Sequence, residues 1–214
     1  MTKASLPAPW PLLILLALLT LPAGCLSLGE GTRQSTRFFT LAALENAPLP
    51  NLDRQAPPLH PGLGPLRFPA YLDRPQLVTR RSAHELQVAD FSRWAEPLNE
   101  NFARALAANL GALLGQTKIE IFPWPRALAV SHQIRLDIQR FDSGPDQLAR
   151  LQVNWDIVTQ KGGPPVVSRQ SEFHAQVAGT DAEAVVAALS ATVAALSREI
   201  AAALVALPAA GSSE

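Results

Sequence analysis

The chain has 214 residues, 18 Lys and Arg against 18 Asp and Glu, 48% hydrophobic and 17% charged residues, and one Cys. Balanced charge excludes the dense basic surface that nucleic acid binding requires. A single Cys excludes an internal disulfide framework and a multi-cysteine zinc site, and the apolar content is too high for a wholly disordered chain. Nineteen Pro against 12 Gly point to ordered strands joined by stiff connections.

The first element is an export signal. Lys3 supplies a small positive start, the run Pro11–Leu21 is uncharged and apolar, and Pro22-Ala23-Gly24-Cys25 follows. The run is shorter than the ~20 residues of a membrane-spanning helix, and small residues sit before the cleavage point. The junction resembles the lipobox of bacterial lipoproteins, with Pro22 where Leu is usual. This implies cleavage after residue 24 and a diacylglycerol on Cys25. Acyl chains contribute ~0.8 kcal/mol per buried methylene, so the mature protein is expected to be tethered through Cys25. Leu26 and Ser27 follow, without the Asp that marks inner-membrane retention in enteric bacteria, which favours the periplasmic side of the outer membrane.

Residues 25–35 read as a polar tether, 36–207 as a single domain and 208–214 as a disordered tail. Thr36–Leu41 has strand composition. Glu45–Pro61, with Pro48, Pro50, Pro57 and Pro58, reads as an extended loop. Leu63–Phe68, Gln76–Arg80 and Glu85–Val88 read as short strands. A helix is expected from near Phe91 or Ala95, because Leu98, Phe102, Leu106, Leu110 and Leu113 form one apolar stripe; Gly115 ends it.

Ile119–Phe122 is a further short strand. Around Ile134, Leu136 and Ile138, and around Leu151, Val153, Trp155 and Ile157, apolar and polar residues alternate, the mark of strands covered on one face. After a turn at Lys161–Pro164, Val166–Val177 returns with Phe173, Ala175 and Val177 on one side. Asp181 is the expected N-cap of a last helix whose stripe runs through Val185, Leu189, Val193, Leu196, Ile200 and Leu204. The simplest burial is an α+β two-layer sandwich, a mainly antiparallel sheet with two long helices on one face.

Residues fit for chemistry are sparse. His60, His84, His132 and His174 have no metal-ligand spacing, and those on strands, His132 and His174, are expected to face solvent or a subunit contact. Nucleophile-elbow, phosphate-loop and His-Glu-x-x-His patterns are absent, and Asp73, Glu96, Asp137 and Asp156 are scattered. Two dense segments remain, Pro69–Arg80 and Phe91–Leu98. Tyr71, Asp73, Arg74, Arg93, Trp94 and Glu96 in them suit either a structural role, with Trp94 a buried anchor at the helix start and the arginines ion-paired, or a contact surface, where Trp, Tyr and Arg dominate.

These segments carry a resemblance. With Cys25, Arg37-Phe-Phe-Thr-Leu41, Tyr71-Leu-Asp-Arg-Pro75, Leu77-Val-Thr-Arg80 and Arg93-Trp-Ala-Glu-Pro-Leu98, and the later strands and Ala-rich helix, the chain resembles the PqiC-type ABC-transport auxiliary lipoproteins over nearly all its mature length. The resemblance implies a non-enzymatic, cofactor-free lipoprotein working with an MCE-domain protein and a membrane permease in lipid transport between membranes and envelope integrity. A stand-alone periplasmic lipoprotein, an assembly factor or hydrolase, is the alternative. A domain this small cannot enclose a lipid path, so a cyclic homo-oligomer is expected, with Pro48–Pro61 and Tyr71–Arg74 near its interface.

Overall fold

The computed structural model describes residues 35–44, 60–125, 127–159 and 163–207. The export signal, Cys25 and its tether, most of the Pro-rich loop, part of the 161–164 turn and the C-terminal tail lie outside the described residues. The elements are β1 (Arg37–Phe39), β2 (Pro61–Arg67), a 3-10 turn (Ala70–Leu72), β3 (Gln76–Arg80), β4 (Leu86–Trp94), α1 (Leu98–Leu113), β5 (Glu120–Ile121), β6 (His132–Ser143), β7 (Leu148–Val158), β8 (Val167–Gln176) and α2 (Ala182–Val205).

The fold is the expected α+β arrangement, with both helices packed against sheet, and the strands divide between two sheets. The larger has the order β5-β2-β6-β7-β8 and the smaller β1-β4-β3. The long pairings β6–β7 and β7–β8 are antiparallel. β2 runs parallel to β5 and β6, and β1 parallel to β4. Pro69 and Pro75 flank the 3-10 turn between β2 and β3; neither has the N–H that continuing a ladder would use.

Alternation sets the faces of the large sheet. Ile134, Leu136 and Ile138 of β6 and Leu151, Val153, Trp155 and Ile157 of β7 are buried beneath the helices. A register shift between Ile138 and Arg140 leaves Gln139 as an extra residue, so Phe141 opposes Leu151 while Arg140 and Asp142 oppose Gln152 and Arg150 on the other face. Phe141 meets Phe102 of α1 edge-to-face at 5.3 Å, and Phe102 meets Phe68 at 5.4 Å. Gly64 of β2 has φ +119°, and a Cβ there would lie 2.7 Å from Phe122, so conformation and space both require glycine.

The predicted α1 stripe is buried throughout. Its start differs from expectation. β4 continues to Trp94 because Ser92, Arg93 and Trp94 pair with Arg37, Phe38 and Phe39, a contact distant in sequence that local periodicity does not register. Pro97, at ψ 130°, then separates strand from helix. At the other end Gly115 takes a left-handed φ of 71°. Asp181 caps α2 as expected, its side chain accepting the Ala184 N–H at 2.9 Å. α2 is long and apolar enough to cross a membrane, yet 67% of its most apolar stretch is buried, and it packs as a core helix against α1, β7 and β8.

After β1 the chain forms a short strap across both helices. The Leu41 N–H donates to Asn101 Oδ1 at 2.8 Å, the Ala42 N–H to Ser190 Oγ at 3.1 Å and the Leu44 N–H to Asn109 Oδ1 at 2.6 Å. Asn109 also donates to Ser197 Oγ at 3.0 Å, joining α1 to α2. Buried side chains thus do for the strap what a ladder partner would do. Asn109→Ala is expected to cost about 2 kcal/mol, because it removes a fully buried amide that bonds both Ser197 and the half-buried Leu44 N–H, and to speed hydrogen exchange at Leu44. Unchanged exchange there would show that the burial of Leu41 alone holds the strap.

Candidate functional site

The Pro69–Arg80 segment lies at the junction of the two sheets, and the Phe91–Leu98 segment is joined to it at Pro75. The 3-10 turn aims Tyr71 at Asp142, which the β6 register shift has turned away from the helix-covered face. Tyr71 Oη donates to Asp142 Oδ2 at 3.1 Å. Arg80, at the end of β3, donates to the same oxygen through Nη2 at 3.1 Å. Arg140 Nε donates to Oδ1 at 2.8 Å. The Asp142 carboxylate is fully buried, while the two arginine side chains are 21% exposed. Two guanidinium groups and a phenol engage both carboxylate oxygens, and the acid has no exposed surface. The cluster is a latch that fixes the small sheet to β6.

Burial, and then the Asp142 charge, hold the Tyr71 phenol above its ordinary range. Hydrogen bonding to Asp142 raises Arg80 likewise. Tyr71 is the sole tyrosine of the chain, so phenolate absorbance reads it alone. The native midpoint is expected above ~10, and the denatured one near ~10. The sign for stability follows: nothing changes below the unfolded value, and stability is lost as pH rises past it towards the folded value, because the unfolded chain releases the proton first. Equal native and denatured midpoints would contradict the buried latch.

The other predicted residues fall into three groups. Trp94 is buried at the end of β4, and its backbone N–H donates to the Pro75 carbonyl at 2.7 Å, tying one motif segment to the other. Glu96 precedes α1, accepts from Asn101 and pairs with Arg104; Asn101 in turn holds the strap. Asp73 and Arg74 are exposed, and among the described residues neither they nor Arg93 forms an ion pair. The buried Arg93 Nε has no hydrogen-bond partner among them.

Sequence reasoning missed Asp142 and Arg140. Asp142 reads as the polar step after Phe141, and the signal available was an acid on a strand near several arginines. His132 also departs from expectation: it is 4% exposed within the domain, against the expected position facing solvent or a subunit contact, and burial lowers its pKa. It opens β6 beside buried Pro61, and its Nδ1 lies 3.0 Å from Ser131 Oγ. His174 is exposed beside Glu172.

Two open depressions mark the surface. One, about 330 Å³, lies on the polar face of the large sheet among Arg67, Arg135, Asp137, Asn154, Asp156 and Ser168. There Arg135 forks onto Asp156 at 2.6 and 3.0 Å, so its strongest donor is already engaged. The other, about 390 Å³, lies beside the strap between Phe38 and Ala187. Among the described residues no group of three His, Cys, Asp or Glu side chains could hold a metal ion.

The molecule is thus a small α+β domain in which a buried carboxylate ties the two sheets together. Residues 39–201 match the family model described as the ABC-type transport auxiliary lipoprotein component, and the chain belongs to that family. No curated protein matches it. Among solved structures it is similar to one described as an uncharacterized protein, at 18% identity and TM-score 0.64, covering 79% of this chain and 99% of the other. It is also similar to protein XCC0632 from Xanthomonas campestris, at 17% identity and TM-score 0.64, covering 79% and 95%. At these identities the likeness concerns the fold.

Proposed function

We propose that the chain is a non-enzymatic subunit of an MCE-type ABC transport system, tethered through Cys25 to the periplasmic side of the outer membrane, that supports lipid movement between membranes and envelope integrity. The observation that carries the reading is the family match over residues 39–201. The burial of the Asp142 carboxylate supports the non-enzymatic part, since the acid at the centre of this charge cluster has no face towards solvent. In this reading the MCE-domain protein and its permease are the partners. Exposed Asp73 and Arg74 belong to a contact surface, and the subunit assembles with its own copies, because one small domain cannot enclose a lipid path.

Loss of the gene is expected to sensitise cells to membrane-active detergents. His60→Ala, His84→Ala, His132→Ala and His174→Ala are each expected to restore resistance when folded protein is present by circular dichroism. One such change that abolishes function in a folded protein would contradict the non-enzymatic reading.

A further inference from the structure

β8 is the last strand of the large sheet, and among the described residues nothing pairs with its outer side. Its pairing with β7 runs without a register shift from Val167–Ile157 to Gln176–Leu148. Just beyond, the Val177 N–H donates to Gln147 O at 2.8 Å. That bond sets the alternation: odd-numbered residues of β8 bond to β7, and the N–H and C=O of Ser168, Gln170, Glu172, His174 and Gln176 point to the free side.

Protected edges carry Pro, charged side chains (Lys above all), a bulge or a very short strand. β8 carries Arg169 and Glu172, but over ten residues it has no Pro, no Lys and no bulge. A strand laid along this edge would find regular backbone donors and acceptors.

We propose that the free edge of β8 pairs antiparallel with β8 of a second copy, with Gln170 opposite the partner's Glu172. Length selects a second copy. The other edge strands among the described residues are β1, β3 and β5, of three, five and two residues. β8 alone offers a ten-residue match.

Charge excludes one register. The bonding alternation requires even residues to face even residues. Centring the twofold axis on Glu172 would set two carboxylates face to face, which destabilises a pair. Centring it on Ser171 sets Gln170 against Glu172 and Ser168 against His174, each twice, with about eight backbone hydrogen bonds. On the helix-covered face it sets Arg169, which lies over Trp155 and pairs with Glu199 in its own chain, beside Phe173 of the second copy. The result is a continuous sheet through two copies; any larger closed assembly would use a second surface. This inference does not depend on the transport reading.

The test is dissociation of the full-length protein in detergent, by sedimentation or native mass spectrometry. The wild type is expected to be dimeric at tens of micromolar. Gln170→Pro removes only an outward-pointing N–H, so it is expected to keep the native melting profile and to weaken dimerisation at least about tenfold. Should that variant misfold, Gln170→Cys with Glu172→Cys gives the second reading. These residues lie across the proposed pair at about 5.5 Å between Cα atoms, within disulfide reach, so oxidation is expected to yield covalent dimers absent from the wild type. A monomeric wild type, a dimer indifferent to Gln170→Pro, or cysteines that do not cross-link would overturn the proposal. A β8 edge engaged instead by a different protein or by another part of this chain would appear as the first of these.

Discussion

Asp142→Ala is expected to lower the stability of the folded domain by about 3 kcal/mol, since removing one member of a buried ion cluster strands the others. The carboxylate is fully enclosed and accepts from Tyr71, Arg80 and Arg140. Both arginines keep partial access to water, which places the cost at the lower end for such clusters. For a domain of this size the melting temperature should fall by roughly 6–12 °C. Urea unfolding should show a lower midpoint with an unchanged slope. Damage should concentrate where the small sheet meets β6, so hydrogen exchange should quicken in β3 and the Tyr71 turn before β7. A loss below about 0.5 kcal/mol, the scale of ordinary surface substitutions, would mean that the latch is solvated and that Tyr71 and Arg80 serve another purpose.

Cys25→Ala is expected to abolish membrane attachment altogether. If Cys25 carries the diacylglycerol, its sulfur is the tether, and no other cysteine in the chain can replace it. The helix that could span a bilayer by length and composition, α2, is committed to the core. The variant should therefore move from the membrane fraction to the soluble periplasmic fraction, and intact mass of the wild type should show signal cleavage and added lipid. A Cys25→Ala protein that stays on membranes, or a wild type without lipid, would remove lipidation from the account.

How much of this was legible in the sequence depended on the range of the interactions. The α1 and α2 stripes, the Asp181 cap and the alternating faces of β6 and β7 are local patterns, and the structure follows them. The end of β4 was misread because Trp94 is held in a strand by Phe39, more than fifty residues away in the chain. The division into two sheets was not visible for the same reason: strand pairing is set by packing between distant segments.

The motif segments were legible as important, since Tyr71, Arg74, Arg93 and Trp94 are concentrated there, but their job was not. Tyr71 acquires meaning only when the register shift at Gln139 turns Asp142 towards it. His132 shows the reverse case. A histidine reads as a residue for solvent or a subunit contact, yet His132 shares the parity of Ile134, Leu136 and Ile138, and the alternation of β6 puts it on the covered face.

The central claim, an auxiliary subunit acting on a transporter through its surfaces, is tested most directly by purifying the tagged, lipidated protein from membranes in mild detergent and identifying what comes with it. The account expects an MCE-domain protein and its permease at amounts comparable to the bait, with recovery reduced by Asp73→Ala and Arg74→Ala and unaffected by His174→Ala. Recovery of the bait without any transporter component, after cross-linking in intact cells, would contradict it.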